Sequence, residues 1–582
     1  MIQQVETRSP SEKFAKSAYW YFLVWGICSS LSMTLSTLVD AILVGNLVGS
    51  DGLAITSIAT PVFLFYALLG MTIGVGGSVK IGRALGSSNL KEANRIFHRQ
   101  LLAGLAIGLV CMAVFLLLRD ELCIFLGAEE DLLPLARQYL TVVLYAAPVF
   151  VLYHILGAAV RTDSDPKQAA VASAVVIVVN LTLDLVFMQG MGLGIVGASA
   201  SLCIGEFLGL LTLLLHFGKK RSLLRLRLSL PRLSDLRDFV VNGFGVGSSY
   251  IFQAIVMFTF NILLLTGPNG VTHVAIFSVL YTLSTLPAAV YEGASNAVST
   301  VVSIFAGERD SHSMLVTLRQ GLLTVGIVGV AMAGAFVLWA EQLVRFFGIT
   351  DGAAVAEAAR AVRIFSISVV FMGVNVLYTS FWQTIGRAKL ASVMSVVRNF
   401  AFMMVLGAVL ISRFQIVGLC LTYVGSEALC LLGVGIVRLV RSSDGYVQNK
   451  YSTKGRAFEK LYPIGAEGIG EIARDLEQLV EEWEIPYKKA FFINLIVEEL
   501  ILNIHKFGLR DTKRQRHIAI KLMENGEEYI LRIRDNVRTY NPFDSGEDGD
   551  DIDNAALTLI TKKAQFYNYQ RKLIFNYLYL IL

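Results

Sequence analysis

The feature that most limits what this chain can fold into is a series of long apolar runs that fills most of its first 440 residues. Backbone N–H and C=O groups find no water in a bilayer, so an apolar run of roughly 20 residues crosses it as a helix. The chain is 55% hydrophobic and 16% charged, which excludes an ordinary soluble protein. We predict an α-helical polytopic membrane protein with twelve spans: 17–43, 53–82, 96–118, 132–160, 168–188, 193–217, 239–265, 271–305, 316–340, 355–383, 390–412 and 415–440.

Positive charge lies mainly on one side of this predicted membrane protein. The segments before the first span and after each even-numbered span hold most of the Lys and Arg residues. Because positively charged connections stay in the cytoplasm, we expect a plasma-membrane protein with both termini cytoplasmic. The first 16 residues are polar and predict no removable signal peptide. The six Cys residues show no metal-ligand spacing, so neither a disulfide framework nor a zinc site is expected.

The two halves of the apolar region repeat each other. Asp40 precedes Gly86 by the same interval of 46 residues by which Asn261 precedes Gly307. The later segments DSDPKQAA and IGRAKLAS match at an offset of 222. A register that persists this far indicates two six-helix lobes related by duplication. We therefore predict four parts: an N-terminal lobe 1–218, a basic cytoplasmic connection 219–238, a C-terminal lobe 239–441 and a small cytoplasmic α/β domain 446–582.

Two carboxylates lie deep in the spans of the first half, Asp40 in the first and Asp184 in the fifth. Asn180 precedes Asp184 by one helical turn and shares its face. An ionisable group at membrane depth costs roughly 3 kcal/mol and survives mainly by facing a cavity or a partner. Carboxylate, amide and hydroxyl oxygens together suit proton exchange or a hard monovalent cation. Two plainer interpretations stay open: Asp40 meets lipid headgroups, or the group forms polar contacts between helices.

The second half lacks these acids. The positions that correspond to Asp40, Asn180 and Asp184 are Asn261, Phe402 and Leu406. This difference predicts that the ionisable groups belong to the N-terminal lobe alone. Glu206 and Glu292 lie within other apolar spans and are candidate cavity residues, with a role in helix packing or at the interface left open.

Five segments, in this order, resemble the signature segments of the multidrug and toxin extrusion (MATE) transporters: VDAILVGNLVGSDGLA, LGSSN, GAAVRTDSDPK, VVNLTLDLVF and LGIVGASAS. The resemblance covers roughly residues 15–440 and implies a V-shaped pair of six-helix bundles that works by alternating access. It implies a transporter rather than an enzyme, which exports small amphipathic, cationic compounds and is driven by inward Na⁺ or H⁺. No nucleic-acid partner is expected. The implied ion-coupling residues are Asp40, Tyr139, Asn180 and Asp184, with Na⁺, if used, at Asp40, Asn180 and Asp184.

Two positions depart from the family's pattern. Leu202, with Ser201 beside it, stands where members often have Thr, which leaves the choice between Na⁺ and H⁺ open. Gln253 stands where some members have a Glu in the seventh helix. We therefore expect Gln253 and Asn261 to be cavity residues that affect substrate preference and leave the ion dependence intact.

Residues 446–582 are soluble-like, with amphipathic helical patterns at 466–484 and 488–506 and strand-like segments at 517–523 and 529–534. The segments FINLIVEELILNIHKFG and YILRIRDNVRTYNPFD resemble the histidine-kinase-like ATPase fold, closest to its anti-sigma-factor type. The resemblance implies that Glu499 orients water or acts as a base, Asn503 holds Mg²⁺ and Asp535 reads the adenine of ATP.

The phosphate site of that fold is altered in this chain. Its Asp-X-Gly reads Asp535-Asn536-Val537, and the glycine-rich lid is replaced by IDNAALTLI at 552–560, which lacks flexible backbone donors. The expected role is therefore regulatory or protein-binding, with ATP and Mg²⁺ binding left open. For the whole chain two other functions stay open: a flippase of a lipid-linked intermediate, which a cavity lined by many cationic residues would favour, and a membrane sensor that signals through the C-terminal domain.

Overall fold

The structure is a computed structural model. It describes residues 10–128, 132–225, 231–267, 269–347, 349, 351–441, 443–451, 455–464, 466–508, 517–526, 528–537 and 562–582. The chain divides into two compact units. The larger unit comprises Tyr19–Glu308 and Met314–Val447. The smaller unit comprises Met1–Ala18, Arg309–Ser313 and Gln448–Leu582.

Helices account for nearly all of the described chain up to residue 451. In order they are α1 Pro10–Leu47, α2 Ser50–Gly86, α3 Leu90–Leu117, α4 Arg119–Phe125, α5 Leu133–Tyr145, α6 Ala147–Thr162, α7 Pro166–Asp184, α8 Gly194–Leu214, α9 Leu233–Leu265, α10 Gly270–Gly307, α11 Ser311–Leu338, α12 Ala340–Phe346, α13 Gly352–Thr384, α14 Ala388–Val396, α15 Phe402–Arg441 and α16 Ser443–Tyr451. A helix lies at each of the twelve predicted spans. Within the described residues, nine helices are long and apolar enough to cross a membrane, or ten if the bent pair α5 and α6 is one span. The chain is thus a helical polytopic membrane protein.

Three places interrupt regular α-helix. A π-helix continues α7 over Leu185–Gly190, and another joins α14 to α15 over Val397–Ala401. Such segments often occur at functional sites. Inside α15, Gln415 has φ 49° and ψ −123°, and beyond it Gly418 packs against Leu410. The chain therefore folds back at Gln415, and α15 contributes two passes, which fits the predicted set of twelve.

Glycine contacts between α2 and α10 carry the symmetry of the repeat. A Cβ on Gly86 would lie 2.9 Å from the Cα of Gly307, and a Cβ on Gly307 would lie 2.8 Å from the Cα of Gly86. Gly86 and Gly307 are counterparts in the repeat, and counterparts touch each other reciprocally where a two-fold axis passes between them. The same shift of 221 residues relates two further close contacts. Gly26 corresponds to Gly247 and Thr72 to Gly293, so the contact of Gly26 with Gly293 is the counterpart of the contact of Gly247 with Thr72.

Polar contacts also join the two halves at the end of the bundle where α2 terminates. Lys80 Nζ lies 2.5 Å from Asp238 Oδ2, and Arg99 Nη1 lies 3.0 Å from Asp235 Oδ2. Both acids belong to the first turns of α9. This end of the bundle is therefore closed in the conformation described.

The smaller unit contains an antiparallel sheet of order β1-β2-β3-β5-β4. Its strands are β1 Ala457–Pro463, β2 His517–Asn525, β3 Glu528–Asp535, β4 Phe566–Lys572 and β5 Phe575–Ile581, and its helices are α17 Ala466–Glu482 and α18 Tyr487–Gly508. The apolar faces of the two helices join the sheet in one core, as with Leu476, Ile493 and Leu531. Two helices and two strands lie where the sequence predicts them, whereas β1, β4 and β5 were not expected.

Two contacts within the smaller unit tie the sheet to other parts of the sequence. The ring centroids of Phe14 and Phe575 lie 4.6 Å apart, edge to face. Arg534 Nη2 lies 3.6 Å from Asp310 Oδ2, and both side chains are buried. Burial raises the pKa of Asp310, but the charges of Lys521 and Arg534 outweigh this and lower the pKa to about 2. The sheet is thus bound to the beginnings of α1 and α11.

Candidate ion and substrate sites

The structure brings the acids of the first and fifth spans together. Asp40 of α1 and Asp184 at the end of α7 lie within side-chain hydrogen-bonding range of each other. α1 continues to Leu47, so Asp40 lies inside the helix rather than at its end. Two carboxyl groups in contact need a shared proton or a cation between them, because two bare charges repel. The pair is therefore suited to exchanging one proton or one cation.

Amide and hydroxyl groups complete this cluster. Ser201 of α8 donates a hydrogen bond to Asp184 Oδ1, and Asn180 Nδ2 lies 3.5 Å from Ser201 Oγ. Asn180, Asp184 and Ser201 are fully buried. Tyr139 of α5 is buried within electrostatic range of both acids. All four predicted ion-coupling residues thus meet in one cluster, and Ser201 supplies the hydroxyl that Leu202 cannot.

The cluster has oxygen atoms free to bind a cation. Asn180 Oδ1 and Asp184 Oδ2 are buried without a hydrogen-bond partner among the described residues. Buried oxygen atoms normally have partners, and carboxylate and amide oxygens are the ligands that hard cations prefer. No group of three or more His, Cys, Asp or Glu side chains in the described part of the chain could hold a metal ion.

A cavity of about 360 Å³ lies between the two halves of the larger unit. One part of its wall is apolar and flexible, formed by residues such as Met257, Met372 and Met403. Hydroxyl and amide side chains form much of the remainder, and its charged lining residues are two Arg and two Glu. The volume and the mixed wall suit a small amphipathic molecule.

Arg398 and Glu427 form an ion pair at the cavity. Arg398 Nε lies 2.9 Å from both carboxylate oxygens of Glu427, and Arg398 Nη2 lies 2.7 Å from Oε1. Asn375 of α13 donates to Glu427 Oε2 at 2.7 Å. Arg398 belongs to the second π-helical segment. The expectation that ionisable groups belong to the N-terminal lobe alone is therefore wrong, because a buried ion pair lies within the second half.

The other charged residues of the cavity are Arg161 and Glu292. Arg161 belongs to the last turn of α6, and it lines the cavity rather than lying in the connection after the fourth span. Glu292 of α10 acts on it electrostatically and also hydrogen-bonds Ser30. The Arg161 guanidinium makes no hydrogen bond or ion pair to any described side chain or backbone group.

The four predicted cavity residues fall in different places. Gln253 and Glu292 line the cavity, and Gln253 Nε2 donates to Tyr281 Oη at 3.0 Å. Asn261 lies in α9 and is half-buried, and it is absent from the cavity lining. Glu206 is buried in α8, also away from the cavity, and its Oε2 has no partner among the described residues. The structure thus separates Glu206 and Asn261 from the two residues that line the cavity.

A further polar cluster lies at the turn between α6 and α7. Asp165 caps α7 by accepting from the backbone N–H of Gln168 at 3.0 Å, and it also contacts Lys219 Nζ at 2.7 Å. His216 bridges Asp165 and Asp163, at 3.1 and 2.7 Å. Burial raises the pKa of Asp165, but the hydrogen bonds from His216 and Lys219 outweigh burial and hold this pKa below its usual range.

The residues predicted to bind nucleotide lie in the smaller unit. Glu499 and Asn503 belong to α18, although the Asn503 side chain lies outside the described residues, as does the segment 552–560. Asp535 is buried at the end of β3, where Oδ1 accepts from the Val537 N–H at 3.0 Å and from Asn576 Nδ2 at 2.8 Å. Asp535 therefore already has hydrogen-bond partners within the unit.

Comparisons with known proteins agree with this architecture. A family model described as MatE matches residues 27–186 and 247–409. The multidrug export protein MepA of Staphylococcus aureus strain NCTC 8325 is 24% identical over 417 residues, which cover 70% of this chain and 91% of MepA. MepA of Staphylococcus saprophyticus is 23% identical over 420 residues, which cover 72% of this chain and 92% of that protein.

Solved structures share the same fold. The outward-facing conformation of a multidrug resistance MATE transporter of the MOP superfamily superposes with a TM-score of 0.70 at 21% identity, over 75% of this chain and 97% of that one. A MOP superfamily transporter from Pyrococcus furiosus, described as having a binding pocket of reverse polarity, gives a TM-score of 0.68 at 21% identity. The alignment covers 76% of this chain and all of that one.

Proposed function

Because the chain belongs to the MatE family, we propose that it is a secondary-active exporter of small amphipathic compounds, driven by inward Na⁺ or H⁺ through the cluster around Asp40. The observation that carries the proposal is the contact between Asp40 and Asp184 beside unpartnered oxygens of Asn180 and Asp184. The similarity to proteins described as multidrug exporters supports the substrate class.

The proposed cycle alternates between two conformations of the two halves. In the conformation described, contacts such as Lys80 with Asp238 close one end of the bundle. The positive charge of the connection 219–238 favours the cytoplasm for this end, with both termini on the same side of a plasma membrane. An ion that binds one conformation better than the other shifts the population toward it, and the ion gradient then drives export.

We assign a regulatory role to the C-terminal part of the chain, as a degenerate ATPase-like domain that can bind a protein partner. The engagement of Asp535 by Val537 and Asn576 supports a module that no longer depends on adenine. The missing Asp-X-Gly at 535–537 supports the same assignment.

Flipping of a lipid-linked intermediate is the second candidate function. Arg161 and Arg398 favour it, since cations in the cavity would bind a lipid phosphate. Each is accompanied by a carboxylate, so the cavity has no net positive charge, and the exporter is the better-supported candidate. If a short-chain polyprenyl phosphate competes with dye export more strongly than amphipathic drugs do, the flippase is the correct function.

Transport in proteoliposomes tests the exporter. Export of an amphipathic dye should respond to an imposed Na⁺ or pH gradient and should be abolished by Asp40→Asn, while the variant still inserts and folds. Asp184→Asn should weaken export less, because we assign the exchanging role to Asp40. Coupled export by Asp40→Asn at the unmodified rate would contradict the proposal. Gln253→Ala is the matched control, and it should change substrate affinity and leave the ion dependence intact.

A further inference from the structure

The two Arg side chains of the cavity have hydrogen-bonding capacity that the protein does not use. The Arg161 guanidinium makes no hydrogen bond or ion pair to any described residue. Arg398 binds Glu427 through Nε and Nη2 only, which leaves Nη1 without a partner in the described part of the chain. Both side chains line the same cavity.

A guanidinium group without an acceptor is costly in a cavity bounded by membrane helices. Removing a charge from water is favourable only when the charge is paired and hydrogen-bonded. Glu292 acts on Arg161 through space, but the two side chains do not form an ion pair. A ligand that brings its own oxygen anion would supply the missing acceptor, and a planar guanidinium binds carboxylate or phosphate oxygens in a two-pronged geometry.

The charge balance of the cavity also restricts the ligand. Its charged lining residues are Arg161, Arg398, Glu292 and Glu427, which together have no net charge. A ligand that carries only positive charge would place a second cation beside Arg161 and leave the guanidinium unpaired. The cavity would therefore bind such a ligand less tightly than one that also carries a negative group. Glu292 has one hydrogen bond, from Ser30, and so can still meet a positive group of the ligand.

We propose that the cavity selects zwitterionic amphipathic compounds, with the Arg161 guanidinium holding an anionic oxygen group of the ligand and Glu292 facing its cationic group. This inference rests on the proposed exporter function and narrows its substrate class from small amphipathic compounds in general to those that carry both charges. The flexible Met side chains that line the same cavity would accommodate the apolar body of the ligand.

A pair of dyes that differ in one ester tests the inference. Rhodamine 110 has a free carboxylate and rhodamine 123 is its methyl ester, so the two share the cationic ring system and differ in the anionic group. Fluorescence anisotropy with the full chain in phosphatidylcholine nanodiscs should show rhodamine 110 binding about 10-fold more tightly, which corresponds to about 1.4 kcal/mol. Equal affinity, or tighter binding of the ester, would overturn the proposal.

Variants locate the effect. Arg161→Gln should weaken the binding of rhodamine 110 about 10-fold and that of rhodamine 123 less than about 2-fold. Arg161→Lys, which keeps the charge and loses the two-pronged geometry, should fall between. Arg363→Gln is the control, since Arg363 is absent from the cavity lining and pairs with Glu341. An equal loss for both dyes in Arg161→Gln and in Arg161→Lys would show a purely structural role and overturn the assignment.

The same dyes separate this inference from the exporter proposal. A rhodamine 110 preference without gradient-driven transport of either dye would leave the ligand assignment standing and contradict the exporter. Gradient-driven export of rhodamine 123 alone, with no preference in binding, would keep the exporter and overturn the ligand assignment.

Discussion

Glu206 and Glu427 are the same position of the repeat in two different environments. The segments Ile195–Glu206 and Ile416–Glu427 align without a gap, each beginning Ile-Val-Gly and ending in Glu. Glu427 is paired with Arg398, whereas Glu206 has no cation beside it among the described residues. Each half thus has one buried acid at this position of the repeat, and only Glu427, in the second half, has a cation paired with it.

We predict that Glu427→Gln destabilises the protein much more than Glu206→Gln. Removing the Glu427 charge leaves Arg398 buried and unpaired, which costs about 3–5 kcal/mol, whereas Glu206→Gln leaves no charge behind. Thermal unfolding in detergent should show a clearly lower midpoint for Glu427→Gln and a smaller shift for Glu206→Gln. Adding Arg398→Gln to Glu427→Gln should restore part of the loss. Equal shifts for the two single variants would contradict this account.

The Asp165 cluster predicts a dependence of stability on pH. Because folding lowers the pKa of Asp165, its contribution is present above the unfolded pKa of about 4 and is lost as pH falls through the folded pKa. Asp165→Asn keeps a good helix cap and removes the charge, so it should lower the unfolding midpoint at pH 7. The difference from the unmodified protein should shrink below about pH 4. A difference that stays constant with pH would rule out the charge as the cause.

At the scale of helices, the contact of α2 with α10 depends on the absence of side chains. A Cβ on Gly86 would meet the backbone of Ile304 and Gly307, and backbone cannot turn aside. We predict that Gly86→Ala pushes α2 and α10 apart and lowers the population of the conformation that is closed at the end of the bundle where α2 terminates. Disulfide crosslinking between Lys80→Cys and Asp238→Cys in a cysteine-free background should fall several-fold. Gly326→Ala, with open space around it, is the control and should leave crosslinking unchanged.

The helices were predictable because their signal is local, whereas the charged pairs of the cavity were not. The length of an apolar run by itself predicts a membrane span, and the four-residue spacing of Asn180 and Asp184 predicts that the two side chains share one face of a helix. Glu427, the partner of Arg398, follows it by 29 residues in the sequence. The periodicity of apolar residues does not predict a contact between two positions so far apart in the chain. Aligning the two halves at Glu206 would have pointed to Glu427. Arg161 follows the predicted fourth span, 132–160, by one residue, so its position in the sequence predicts a connection residue rather than a cavity residue.

The same reasoning explains what was found and missed in the smaller unit. β2 and β3 alternate apolar residues, which is the pattern of a half-buried strand. β4 reads FYNYQRK, and its Asn and Lys are residue types depleted in strands. Its pairing with β5 comes from tertiary context. The likeness to a histidine-kinase-type ATPase stays a prediction, since Asn503's side chain and residues 552–560 lie outside the described part.

At the scale of the whole molecule, we predict that deleting 446–582 changes the export rate and leaves ion dependence intact. The sheet contacts the beginnings of α1 and α11 through Phe14 and Asp310, so its loss alters the surroundings of these helix starts. The Asp40 cluster belongs to the larger unit. Transport under separate Na⁺ and pH gradients measures both quantities. Loss of ion dependence in the deletion variant would contradict the separation of roles.

Nucleotide binding is a separate property of the same domain. Because the phosphate lid is missing, we predict an ATP affinity for the full chain no better than about 0.1 mM, or roughly −5.5 kcal/mol. Calorimetry with and without Mg²⁺ tests this, with the deletion variant as the blank. Tight, Mg²⁺-dependent binding that is lost in Asn503→Ala would show that the domain still holds a triphosphate.

The reciprocal contact of Gly86 and Gly307 has an evolutionary consequence. In an ancestral dimer of single halves, one glycine codon would have specified both sides of this contact, and any larger residue would have collided with its own copy. After duplication and fusion the two codons became independent, yet each remained constrained by the other. Divergence between the halves should therefore be slowest where a residue touches its own counterpart, as at Gly86 and Gly307, and faster where the surroundings of the two halves differ, as at Asp184 and Leu406.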